Sequence, residues 1–188
     1  MYWCEGWNFS AIKVEKNKVN LTKYIRSIPD WPKKGILFRD ITPLLADRKA
    51  FAAAVEALAG RYEDKNIDYV AAVEARGFIF GAAVAEKLGA GFVPIRKKGK
   101  LPYKTESATY DLEYGVDTLE IHSDAVKKGS KVLMIDDLLA TGGTMAAACR
   151  LIEKIGGKVE GIAFLVELKD LNGREKIKNY DISAEIVF

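Results

Sequence analysis

The sequence predicts an α/β fold in which a central, mainly parallel sheet is flanked by helices. Three observations carry that prediction. The run KVLMIDD (131–137) is apolar at consecutive positions, as a strand covered on both faces must be. From Tyr69 onward, short β-rich runs alternate with helical stretches, the pattern that builds parallel strands joined by helices. The chain has 188 residues, 49% apolar and 29% charged, enough for one domain with a full core.

Residues 1 to 20 stand apart, with Tyr2, Trp3 and Trp7 followed by the polar KVEKNK, and read as an arm or extension to a single domain over 21–188. Val19 to Ser27 suits a short helix stopped by Pro29. The breaker-rich DWPKKGILFRDITPLL (30–45) reads as a surface loop before Asp47 opens a helix with a stripe at Phe51, Val55, Leu58 and Ala59. YVAAVEARGF (69–78) is a strand ending in a charged turn. GFIFGAAVAEKLG continues as a helix closed by Gly89, and GFVPIRKKGK (91–100) repeats strand and basic turn. Residues 101–122 show little apolar periodicity before TLEIH, so they read as a long mobile loop followed by a strand. ATGGTMAAACRLIEKIGG reads as turn and helix, KVEGIAFLVEL (158–168) as a strand, and DISAEIVF as an edge strand.

Composition narrows the function. Basic residues number 29 against 26 acidic, and a formal charge of +3 argues for neither a nucleic-acid nor a membrane partner. Cys4 and Cys149 make no disulfide framework, and the single His122 excludes a histidine-rich metal site. Glu5 and Asn8 interrupt what a signal peptide would need, and no apolar run is long enough to span a bilayer, so the expected location is cytoplasmic. Cys149, among alanines, reads as a small core residue.

The chemistry concentrates in VLMIDDLLATGGTM (132–145). Two adjacent carboxylates are costly to bury without cations or donors, so a strand that runs into Asp136 and Asp137 has a use for negative charge. Ligands gather at the carboxyl ends of strands in open α/β sheets, where these aspartates would sit. The ATGGT that follows offers backbone N–H groups and hydroxyls, and the helix behind it points a positive N-terminus into the same turn. Carboxylates beside an anion-binding turn suit a sugar phosphate. The turn takes the phosphate, while the aspartates accept from ribose hydroxyls or meet a metal through water. The plain alternative is capping by Asp and Thr alone. Neither a Walker A loop nor G-x-G-x-x-G is present.

The segment resembles the phosphoribosyl pyrophosphate (PRPP) motif of the type I phosphoribosyltransferase family, in the variant of its adenine-specific members. GILFRDITPLL, VEARGFIFG with RKKGKLP, and YDLEYG follow the family's blocks in the same order, from about Leu21 onward. The resemblance implies the type I phosphoribosyltransferase fold, with a small purine-binding hood at 30–45 and a flexible catalytic loop at 101–116. It also implies that adenine and PRPP, with Mg²⁺, give AMP and pyrophosphate.

By the same resemblance, Asp136 and Asp137 hold the ribose, and Ala140, Thr141, Gly142, Gly143 and Thr144 hold the 5′-phosphate. Arg76, Lys97 and Lys100 face pyrophosphate, and Arg96 reaches the neighbouring site of a homodimer. Leu37, Phe38, Arg39 and Leu138 form the adenine site, with Phe38 stacking on the base and Leu37 offering its backbone. Arg39 either orders that site or pairs with a carboxylate such as Asp40. Glu113 is the proton acceptor, with Tyr114 beside it and Arg76 as the third catalytic group. Mg²⁺ comes mainly on PRPP, with no firm protein ligand. Lys98 and His122 receive no role.

Three other readings compete. Enzymes of the same fold use hypoxanthine, guanine, xanthine or orotate, but the LFRD and LEYG blocks contact the base and argue against them. A PRPP-sensing regulator would carry a nucleic-acid-binding domain or an extensive basic surface, and this chain offers neither. PRPP synthesis would need an ATP site that no segment supplies.

Overall fold

The computed structural model describes residues 19–111 and 115–188. Nine strands are described: β1 (Arg26–Pro29), β2 (Leu37–Asp40), β3 (Tyr69–Val73), β4 (Gly91–Lys97), β5 (Thr105–Asp111), β6 (Val116–His122), β7 (Lys131–Leu139), β8 (Lys158–Glu167) and β9 (Ile182–Val187). The helices are α1 (Thr42–Ala46), α2 (Arg48–Gly60), α3 (Gly77–Leu88) and α4 (Gly143–Lys154).

Seven strands form one sheet in the order β5-β6-β4-β3-β7-β8-β9. The five from β4 to β9 run parallel, and the β5–β6 hairpin joins antiparallel at the end of β4. Val70, Ala72, Leu133 and Ile135 pack towards α2 and α3. Ala71, Val73, Val132 and Met134 pack in a second core with Ala147, Ala148 and Leu151 of α4. Strand alternation therefore feeds both layers, as a doubly covered sheet requires.

Local chemistry explains the boundaries. The Asp47 carboxylate accepts from the amides of Lys49 and Ala50, both at 2.9 Å, and starts α2. Gly89, left-handed at φ +65, closes α3 as expected. Pro94 interrupts β4 without breaking the β3 ladder. Ile95 turns its carbonyl to Glu74, the residue after β3, so Pro94 faces the other side, where pairing with β6 begins only at Arg96.

Three segments differ from their sequence expectation. Only Leu21–Tyr24 is helical in 19–27, as one 3-10 turn, because Ser27 and Ile28 approach Pro29 in extended backbone. Within 30–45, Leu37–Asp40 is a strand, since Arg26–Pro29 supplies an antiparallel partner distant in sequence. Residues 105–111 form β5 rather than a loop. Ala108 and Tyr110 pack on the core beside α4, while the remaining positions are polar, which hides the strand from a periodicity reading. Residues 1–18 of the expected arm or extension at 1–20, and Glu113 and Tyr114, lie outside the described residues.

Candidate active site

β3 leads through α3 to β4 on one side, whereas β7 lies on the other side of β3. The strand order therefore reverses between β3 and β7, where open α/β sheets bind ligands. Arg76 follows β3 and Asp137 belongs to β7, and the two meet there with Nε 2.8 Å from Oδ2. The pair is electrostatic rather than an aligned hydrogen bond, because Asp137 Oδ2 is buried without a hydrogen-bond partner among the described residues. A buried acceptor in that state is suited to a ligand hydroxyl.

The two aspartates interrupt strand alternation. Ile135 and Leu138 pack with the same cluster although they are three positions apart, a spacing that places residues of a regular strand on opposite faces. Asp136 Oδ1 accepts from the Asp137 amide at 2.9 Å, and it lies so close to Gly77 that a Cβ there would stand 2.7 Å away. Glycine thus lets the start of α3 close over the carboxylate. Burial raises the Asp136 pKa well above the usual range, and the neighbouring Asp137 charge raises it further. Burial also raises that of Asp137, but Arg76 opposes it. Asp137 is accordingly the ionised partner, and Asp136 holds its proton to higher pH.

Beyond them, Gly142 caps α4 in the left-handed region at φ +77, and no side chain caps the helix. The first helical bond runs from the Ala146 amide to Gly142 oxygen, so the amides of residues 143–145 have no helical acceptor. Leu138, Ala140, Thr141, Gly142 and Thr144 line a cleft of about 90 Å³ with Asp136 at its side. The predicted turn and Asp136 share one space.

Phe38 reaches the same place from β2. The Arg76 guanidinium carbon lies 5.4 Å from its ring centroid, and Trp31 meets that ring edge-on at 4.4 Å. Leu37 is exposed, and Leu138 half-buried. Arg39 makes neither anticipated salt bridge. Its Nη1 donates to Ser27 Oγ at 2.6 Å, and its guanidinium lies 3.7 Å above the Phe188 ring.

The basic end of β4 is tied to carboxylates. Arg96 Nη2 donates to Glu74 at 3.2 Å and Nη1 to the Lys100 carbonyl at 3.2 Å. The Lys97 amide donates to Glu74 at 2.7 Å, and its ammonium pairs with Asp117 at 3.2 Å. Burial would raise the Glu74 carboxyl, but the Lys97 amide and Arg96 together hold it below its ordinary value. Asp117 is lowered chiefly by the Thr118 amide and then by Lys97, whose own pKa it raises. Tyr110 donates to Asp117 at 3.3 Å. Lys97, Asp117 and Tyr110 therefore link the basic turn to the β5–β6 hairpin, which packs against α4. Lys98 and Lys100 are exposed, while His122 lies beside Tyr103 at the far end of β6.

Glu74, Asp117 and Tyr110 were not singled out from sequence. Glu74 stands beside Arg76 at the strand end, and that adjacency was the available signal; the other two depend on an unforeseen hairpin. Among the described residues no three His, Cys, Asp or Glu side chains gather to hold a metal, and no helix is long and apolar enough to cross a membrane.

Comparison with known proteins agrees with this geometry. The family model for the phosphoribosyl transferase domain matches residues 43–187. The adenine phosphoribosyltransferase of Thermotoga neapolitana is 55% identical over 170 residues, 90% of this chain and all of that protein. The crystal structure of the Thermoanaerobacter pseudethanolicus adenine phosphoribosyltransferase superposes with a TM-score of 0.87 at 56% identity, covering 89% of this chain and 98% of the other. The Saccharomyces cerevisiae enzyme, solved with adenine and an imino-altritol bisphosphate, gives 0.82 at 40% identity over 86% of this chain and 94% of that one. With paired aspartates and an arginine meeting at the strand-order reversal, and relatives that align over nearly their whole lengths, the chain belongs to the phosphoribosyltransferase family, among its adenine phosphoribosyltransferases.

Proposed function

We propose that this protein transfers the 5-phosphoribosyl group of PRPP to adenine, giving AMP and pyrophosphate in purine salvage. The observation that carries the reading is the meeting of Arg76 with Asp137 and Phe38 near the end of β7, the strand that runs into the uncapped start of α4. The bond from ribose C1′ to pyrophosphate oxygen breaks as a purine nitrogen bonds to C1′. Positive charge grows on the ribose ring and negative charge on the leaving group, so catalysis needs fixed charges and exclusion of water.

The 5′-phosphate takes the amides and hydroxyls of Ala140, Thr141, Gly142, Gly143 and Thr144. Asp137, ionised, and Asp136 receive the ribose hydroxyls. Arg76, Lys97 and Lys100 neutralise pyrophosphate, for which Lys97 exchanges Asp117 for phosphate oxygens. Adenine lies against Phe38, with Leu138 on its other face, the Leu37 backbone at its edge, and Arg39 bracing the strand through Ser27 and Phe188. Glu113 accepts the purine N–H proton with Tyr114 beside it; desolvation as the loop closes must raise its pKa for that task. The yeast relative's complex with adenine supports the substrate class.

Mg²⁺ fits as an ion carried by PRPP, because it suits one or two carboxylates with substrate oxygens, and Asp137, ionised and with an unpartnered buried oxygen, would supply one directly or through water. When bound, it supplies charge neutralisation to the leaving pyrophosphate. The working form is a cytoplasmic homodimer in which Arg96 leaves Glu74 to reach the neighbouring site.

The test is product formation from PRPP and Mg²⁺ with adenine, hypoxanthine, guanine and orotate in parallel, on the wild type, Glu113→Ala and Asp137→Asn. AMP from adenine alone, sharply reduced in both variants, is expected. Turnover of an oxopurine would overturn the base assignment. PRPP binding without turnover of any base would make the protein a sensor.

A further inference from the structure

The turn that opens α4 does not set its own shape. A Cβ on Gly142 would run into the Gly173 carbonyl oxygen, with the carbonyl carbon at 3.0 Å and Cα at 3.2 Å. The contact is reciprocal. A Cβ on Gly173 would collide with the Ala140 carbonyl oxygen and come within 2.8 Å of Leu139 Cδ1. All three nearest atoms to the Gly142 position are backbone, so no flexible side chain lies there to absorb a displacement.

The segment carrying Gly173 is itself clamped. Asn172 is left-handed at φ +51, and the 3-10 turn Gly173–Ile177 follows it. Arg174 forks onto Glu167 with Nε to Oε1 at 2.8 Å and Nη2 to Oε2 at 2.6 Å. Glu167 is buried and is the cross-strand partner of Leu139, and the Leu168 amide donates to the Leu139 carbonyl at 2.9 Å. A cavity of about 380 Å³, lined by Glu167, Lys169, Asn172, Arg174, Glu175 and Val187, borders the segment. Close packing therefore does not pin its outer side; the fork does. Ile177 anchors the far end in the core that holds Leu139 and Met145.

We infer that Gly173, held by the Arg174–Glu167 fork, is a positioning residue for the anion turn. Its backbone imposes the left-handed Gly142 and so aims the first amides of α4. This rests on the reading of residues 140–144 as the seat of the PRPP 5′-phosphate.

Gly173→Ala and Arg174→Gln test it by steady-state kinetics and by calorimetric binding of ribose 5-phosphate. Gly161→Ala serves as comparison, because its Cβ would meet Tyr62 at 2.6 Å in the same sheet, away from the turn. In Gly173→Ala the KM for PRPP and the Kd for ribose 5-phosphate should rise about tenfold or more, while kcat and the KM for adenine at saturating PRPP change less than about threefold. Arg174→Gln should move the same constants in the same direction, by less. Gly161→Ala should lower the melting temperature and leave both phosphate-ligand constants alone.

Constants within about twofold of wild type in the folded variants would overturn the inference, as would an equal rise in Gly161→Ala. If Gly173→Ala does not fold, Arg174→Gln decides. Wild type that turns over, with unaffected variants, removes this inference alone. Wild type that binds no ribose 5-phosphate removes the functional reading with it.

Discussion

Asp136 and Asp137 are neighbours in sequence with opposite electrostatic circumstances. Arg76 holds one as an anion, while burial and that anion keep a proton on the other. The unfolded chain releases the Asp136 proton near 3.8, whereas the folded chain keeps it to higher pH. Between those values the unfolded state binds fewer protons, so stability is lost as pH rises. Asp136→Asn should therefore raise the melting temperature at pH 7 by a few degrees and give no gain below about pH 3.8, as scanning calorimetry would detect. If the carboxylate also receives a ribose hydroxyl, the variant should lose roughly 10- to 100-fold in kcat/KM. An activity loss without the pH-dependent gain in stability would refute the burial argument. Arg76→Lys should be as harmful as a truncation, because an ammonium cannot span Asp137, the Phe38 face and phosphate together; a kcat/KM near wild type would contradict that.

Elements with strong periodicity were legible from sequence and the hairpin was not. β7, α3 and α4 announce themselves through apolar runs with breakers at their ends, so the aspartates and the TGGT turn were placed where they lie. β5 presents few apolar residues to the core, and its order comes from tertiary contacts. Lys154 pairs with Glu106 at 2.7 Å, and Arg150 donates to the Thr109 carbonyl at 3.2 Å. The amides of 105–111 that pair with β6 should therefore resist hydrogen exchange. Exchange as fast as in an unstructured loop would contradict the strand. Asp47→Ala removes the α2 cap and should cost about 1 kcal/mol with no change in KM, readable by denaturant titration beside kinetics. A shift in KM would mean that α2 communicates with the site.

At the scale of the molecule, the site is a property of strand order. Arg76 and Asp137 meet because β7 returns beside β3, which no local pattern discloses; the block resemblance found both residues but not their contact. Gly173 was invisible for the same reason, since its partner Gly142 is remote in sequence. The proposed crossing of Arg96 has a direct test. Arg96→Ala and Glu113→Ala, each inactive alone, should regain about a quarter of wild-type activity when unfolded together and refolded, since half the dimers are mixed and one of their two sites is intact. No recovery from refolded mixed dimers would place Arg96 in its own site.

The stacking of Arg39 on Phe188 joins the purine-side hairpin to the residue that follows β9, at the opposite edge of the sheet from β5. The β1–β2 hairpin is thus not a cassette that can be lifted out by itself, and if it holds the base as proposed, selectivity cannot be either. A recombinant that imports residues 26–40 from a relative with another base preference must import residues 182–188 as well.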